Sequence, residues 1–344
     1  MVADLLGWEM LIAAFAGGAF GASIGALQSF SLAGLMIIVG ELYELIARTM
    51  GVEPAVDITG TIGFGVVLGP HVAFGGGAAA AAYAAKRGYF DTEFAYHEAK
   101  NVTQGLGNRP DVLFVGGIFG VFGFVVAELS IAMRLPLDGI ALGIVLSAFA
   151  HRLLFGYSII GEITTHALDM SPYERGERRR GTENRFVVEP WLPFLYRWSH
   201  VIFLGVIVGI LAGYITFLTG STFLAFGISA FALALMCAGV PNIPVTHHIT
   251  LPASTIVVAS AGVSTPFIPV GMAASIPLGE ALLLGAIFGL LGALFGELSQ
   301  RIFYAHAETH FDPPGASIVV TSLIIGILAL LGVIPASAWI PLPG

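Results

Sequence analysis

Residues Pro244–Ser260 read PVTHHITLPASTIVVAS. The stretch is apolar enough to lie at membrane depth, yet it holds two histidines, three threonines, two serines and two prolines. Gly69–Tyr83, GPHVAFGGGAAAAAY, has the same plan: a breaker, a histidine, then a run of small residues. Setting His71 on His248 places Ala73 on Thr250, Phe74 on Leu251 and Gly75 on Pro252. Irregular backbone is tolerated in a bilayer only where protein buries it or it lines a wet cavity. Two interrupted segments at matching places in two halves of a chain mark a transporter's binding site. The reading therefore assigns His71, Gly75, His247, His248, Thr250 and Pro252 to a substrate site.

Composition agrees with a bilayer. The 344 residues are 56% hydrophobic and 10% charged, with mean hydropathy +0.89, against about 25% charged in a soluble domain. A spanning helix needs about 20 apolar residues. On that ruler the segments are Met10–Leu27, Phe30–Met50, Val56–Lys86, Val112–Met133, Gly139–Gly156, His200–Leu218, Thr222–Gly239, Pro244–Val263, Gly279–Leu298 and Ala316–Leu331. The single cysteine, Cys237, excludes an internal disulfide and a cysteine-based zinc site. Net charge −8 gives no basic surface for nucleic acid. Asp4 and Glu9, with no early lysine or arginine, do not read as a cleaved leader.

An internal repeat sets the architecture. Val115–Ser130, VGGIFGVFGFVVAELS, matches Leu284–Ser299, LGAIFGLLGALFGELS, with Gly116, Gly120, Gly123 and Glu128 on Gly285, Gly289, Gly292 and Glu297. Gly17, Gly21 and Gly25 match Gly205, Gly209 and Gly213 more loosely, as small-residue stripes for helix packing. The expectation is an all-α integral membrane protein of about ten transmembrane segments, an inverted 5+5 repeat with two interrupted helices. Residues 1–156 form the first repeat, 157–196 a cytoplasmic arginine-rich connection, and 197–344 the second.

Lysine and arginine favour the cytoplasmic side. Arg175, Arg178, Arg179, Arg180 and Arg185 place the connection inside, followed by Trp191, Tyr196 and Trp198 as an interfacial belt. Lys86, Arg87, Lys100, Arg109 and Arg301 then also fall inside, while Arg48 and Arg134 run against the rule. Both termini fall on the non-cytoplasmic side of a multi-pass cell-membrane protein.

Three sets of polar residues could carry chemistry. An imidazole at membrane depth can bind a metal or relay a proton; the plainer reading is a histidine bonded to a nearby carbonyl. Glu128 and Glu297 would each cost about 2.5–3.5 kcal/mol at hydrocarbon depth. They read as a symmetric coupling-ion pair, or as interfacial acids at helix ends. Glu41 and Glu44, three apart, share a helical face. In Ala305–Ser322, AHAETHFDPPGASIVVTS, His306, His310 and Asp312 are candidate metal ligands. HAETH is not HExxH, because Ala307 stands where the zincin glutamate belongs. Asp312-Pro313-Pro314 also reads as a helix start, and THFDPPGASIVV echoes THHITLPASTIVV as a third cavity-lining loop. No phosphate-loop lysine follows Gly75–Gly77.

Gly69–Ala85, about 17 of the 344 residues, resembles the small-residue membrane segments of the sodium-translocating methyltransferase subunits of methanogens. The resemblance implies ion translocation and assigns no residue a role. The long chain and two-fold repeat depart from that family's pattern.

The function expected is a secondary transporter of a small solute or ion, binding between the two interrupted helices. The alternatives are a channel or ion-translocating subunit of a larger complex, and an intramembrane metal-dependent enzyme. The expected partners are the bilayer, a small solute or ion, and further copies or other subunits of a membrane complex. The cofactor, if any, is a cation such as Na⁺ or a divalent metal.

Overall fold

The computed structural model describes residues 7–92, 94–179, 185–268 and 276–343, so Asp4 and Arg180 lie outside the described residues. Helices dominate: α1 Trp8–Ile24, α2 Ala26–Thr49, α3 Gly75–Lys86, α4 Pro110–Ala132, α5 Gly139–Phe155, the single turn α6 Ser171–Glu174, α7 Trp198–Thr219, α8 Leu224–Phe231, α9 Leu233–Cys237, α10 His247–Ser260, α11 Leu278–Ser299 and α12 Pro313–Leu330. The described residues contain isolated β-bridges but no named strand. Five helical stretches are long and apolar enough to cross a membrane: α2, α4, α7, α12, and α11 with its π-helical continuation to Tyr304. Their outer faces carry exposed side chains such as Phe114, Leu42 and Phe203, which suits lipid rather than water.

The other expected segments are shorter. α1, α5 and the α8–α9 pair are apolar helices below spanning length. α3 and α10 are the two interrupted segments. A π-turn at Pro70–Phe74 leads into α3, and Pro252 sits inside α10. The two chemistries disturb the helix at aligned positions. Proline at 252 has no N–H to donate to the His248 carbonyl one turn back. Nearly every residue of both helices is buried, as backbone of this kind requires.

Glycine decides how these helices meet. A β-carbon on Gly123 of α4 would collide with the His71 carbonyl, and one on Gly292 of α11 would collide with the His248 carbonyl. Two pairs aligned separately in the sequence thus become the same contact in each half. The α1–α4 and α7–α11 pairs repeat as well, but in another register. Gly18 packs on Gly116 and Gly120 as Gly209 packs on Gly285 and Gly289; Ala14 and Ala22 take the places of Gly205 and Gly213. The expected glycine-for-glycine match of Gly17, Gly21 and Gly25 is therefore corrected. Gly17 and Gly21 instead face the backbone of Val66 and Ala73, and Gly25, at φ +102°, turns the chain from α1 into α2.

Two helix crossings join residues 1–156 to residues 197–344. Along α2, Gly34, Ile37 and Glu41 meet Ala230, Gly227 and Ser221, so α2 and α8 run antiparallel. Along α5, Ile144, Asp138 and Pro136 meet Gly315, Ser322 and Gly326, so α5 and α12 also run antiparallel. The largest buried cluster, including Phe30, Phe74, Ile144, Phe226, Leu251 and Ile318, lies at these crossings.

Candidate functional site

A cavity of about 250 Å³ opens at the same crossings. Its wall takes Phe30 and Phe226 from α2 and α8, and Ile144 and Ile318 from α5 and α12. The Phe30 and Phe226 rings stand 6.1 Å apart, edge to face. His247 packs against both, with ring centroids 4.6 Å from Phe30 and 5.6 Å from Phe226. Its Nδ1 is buried without a hydrogen-bond partner.

Two aspartates face the same space, one from each half. Asp138 caps α5, its Oδ1 accepting from the backbone N–H of Ile140 at 2.8 Å and of Ala141 at 3.1 Å. Asp312 caps α12, its Oδ2 accepting from the N–H of Gly315 at 2.8 Å. They are equivalent: each lies five residues before the small residue, Gly143 or Ser317, that meets the backbone of Gly123 or Gly292. Asp312 thus acts as the helix start its Pro-Pro-Gly context predicts, and His310–Asp312 form the third cavity-lining loop. His310 is 5% exposed, its Nε2 is 3.8 Å from Asp312 Oδ1, and neither ring nitrogen has a hydrogen-bond partner.

Lys100 closes one side. Its Nζ donates to Glu189 Oε2 at 2.7 Å, neither side chain having exposed surface, and sits 4.3 Å from the Tyr304 ring centroid. Glu189 also accepts from Arg185 at 3.1 Å. Burial pushes the Glu189 carboxyl up, but the Lys100 ammonium and Arg185 guanidinium outweigh it and hold it below the ordinary glutamate range. The 157–196 connection is therefore more than a loop. It brings Glu189 to Lys100, and it sends Trp191 into the cavity wall rather than to an interfacial belt.

Several sequence expectations need correction here. His71 and His248 do not line the large cavity; Pro70 and His247 do. His248 faces a separate space of about 30 Å³ that also touches Glu297. Thr250 is buried and turns its hydroxyl back to the His247 carbonyl at 3.2 Å, while Pro252 borders a void of about 10 Å³. Gly75 borders a similar void beside His310 and Asp312. Glu297 is ion-paired with Arg301 at 2.6 Å, whereas Glu128 is half-buried, so they are not a matched pair. His306 and His310 do not share a helical face, because residues 305–312 are irregular. The His306 ring bonds to the Ala167 carbonyl at 3.1 Å. Among the described residues, no three His, Cys, Asp or Glu side chains gather as a metal-holding group.

One buried carboxylate was legible only as a face-sharing acid. Glu41 of α2 is 1% exposed and accepts from the Thr59 hydroxyl at 2.8 Å and from the Ser221 hydroxyl. No cation pairs with it among the described residues. Glu44 instead pairs with Arg48 at 2.6 Å. Asp138 gave no signal beyond an ordinary helix cap.

Fold and site together define an all-helical protein with helices long and apolar enough to cross a membrane around a central, aromatic-walled cavity. The chain matches the family described as "Family of unknown function (DUF7973)" over residues 1–343, and it belongs to that family. Comparison with curated proteins and with solved structures returns no match.

Proposed function

We propose that the protein is a secondary transporter of the cell membrane, built as an inverted 5+5 repeat, whose solute site is the central cavity. The observation that carries this reading is that the matched residues Asp138 and Asp312, with Phe30 from α2 and Phe226 from α8, wall a single space. Equivalent helices that cross antiparallel are what a two-fold axis in the membrane plane produces. Two similar halves meeting at one site can then rock about it, opening the site to either side in turn.

The coupling role fits Glu41 better than Glu128 or Glu297. Its carboxylate joins a hydroxyl of the first half, Thr59, to one of the second, Ser221, and among the described residues it has no ion-pair partner such as Arg301 is to Glu297. A carboxylate so buried must be protonated or hold a small cation, and rocking the halves would expose it. The test uses the purified protein in proteoliposomes loaded with unlabelled solute. Carrier action predicts saturable uptake of labelled solute, accelerated by solute on the far side. Glu41→Gln should keep this exchange but lose accumulation driven by a proton or sodium gradient. Flux that neither saturates nor responds to solute on the far side would contradict the carrier reading.

A further inference from the structure

The charges facing the cavity point to its occupant. A site faced by the N-termini of α5 and α12 would ordinarily suit an anion, because free N–H groups point at the ligand. Here most of those donors are already used. Asp138 takes the N–H groups of Ile140 and Ala141, and Asp312 takes that of Gly315. The intervening Pro313 and Pro314 have none to offer. Lys100, the cation in the wall, is paired with Glu189 behind it, which it shares with Arg185, and Arg185 has Glu308 as its other partner. Two aspartates therefore remain as the fixed charges facing the space, each less than a tenth exposed. Most of the remaining wall is aromatic or aliphatic, and aromatic faces attract cations.

The Asp312 end also holds an acceptor. Neither ring nitrogen of His310 has a hydrogen-bond partner, a neutral imidazole accepts at one of the two, and the ring lies against the cavity with its Nε2 3.8 Å from the carboxylate. An ammonium group has donors for both the carboxylate and a free ring nitrogen. The antiparallel crossing of α5 and α12 places Asp138 toward the opposite end of the cavity. From the pairing of these two carboxylates with an aromatic wall and the unpartnered His310, we infer that the site binds an organic ammonium ion with an apolar body. This rests on the transporter reading for its meaning in the cell, but not for the binding itself.

The experiment is calorimetric titration of the full chain in detergent with phenethylammonium chloride. The matched anion 3-phenylpropionate and the neutral 2-phenylethanol are titrated in parallel. The amine should bind, and the other two should bind at least about tenfold more weakly, the scale of a charge-assisted hydrogen bond. Asp138→Asn and Asp312→Asn separate charge from folding, because asparagine caps a helix about as well as aspartate. Each should melt near the wild type; Asp312→Asn should weaken amine binding by about tenfold, and Asp138→Asn, at the other end of the cavity, by less. The inference is overturned by no amine binding, by equal binding of the anion or alcohol, or by amine affinity unchanged in both variants. Counterflow separates the two proposals. Carriage of 3-phenylpropionate would uphold the transporter and overturn the ammonium assignment. Amine binding with no exchange would do the reverse.

Discussion

Glu189 has no exposed side-chain surface and lies between two cations, Lys100 at 2.7 Å and Arg185 at 3.1 Å. Breaking a buried pair by removing one partner costs about 3–5 kcal/mol, because the remaining charge is left without compensation. Glu189→Gln should therefore lower the melting temperature at neutral pH. The wild type should show a matching pH dependence. A carboxyl held below its ordinary range in the fold stabilises fully above that range, and the contribution is lost as pH falls through the folded value. Melting in detergent across acidic pH should show the wild type losing more stability than Glu189→Gln. Parallel curves would show that the pair is not the group responsible. No sequence pattern announces this pair, whose members are 89 residues apart. Glu41 was similarly hard to read. Its spacing to Glu44 is visible, but its hydroxyl partners come from the π-helical turn Thr59–Gly63 and from the other half of the chain.

Among elements, the repeat in α4 and α11 was legible because close approach leaves glycine little choice. Gly123 and Gly292 stand where another strand of backbone, the carbonyl of His71 or His248, occupies the space of a side chain. The carbonyls of His71 and His248 make matching contacts for the same reason, yet their imidazoles do not line the large cavity. Alignment fixes the backbone position; side-chain direction follows from the local break, a π-turn in one half and Pro252 in the other. The register of α1 on α7 misled because alanine serves as well as glycine at two of its contacts. Gly123→Ala and Gly292→Ala should each destabilise by about 1–3 kcal/mol through overpacking. Gly279→Ala, in the first turn of α11 with open space where the β-carbon would go, should melt like the wild type or slightly higher. Equal melting temperatures for all three variants would mean that the carbonyl contacts do not hold the halves as described.

For the whole molecule, the sequence conveyed an all-helical membrane chain with two interrupted segments. It did not convey the cavity, because a cavity at crossing helices belongs to no single stretch. Among the described residues five helical stretches meet the length of a span, and the other expected segments are shorter, paired or interrupted helices. Inversion is the claim on which the transporter reading depends. The alignment of His71 with His248 carries Arg87, just after α3, onto Ser264, just after α10, and both are exposed. With Cys237, the one native cysteine, replaced by alanine, a single cysteine can be placed at either position. The decisive measurement is labelling of Arg87→Cys and Ser264→Cys in intact cells and in inverted vesicles with a membrane-impermeant maleimide. The account predicts opposite sides: residue 87 reacts from the cytoplasmic face and residue 264 from the other. Labelling of both from the same face would contradict inversion and, with it, alternating access about the central cavity.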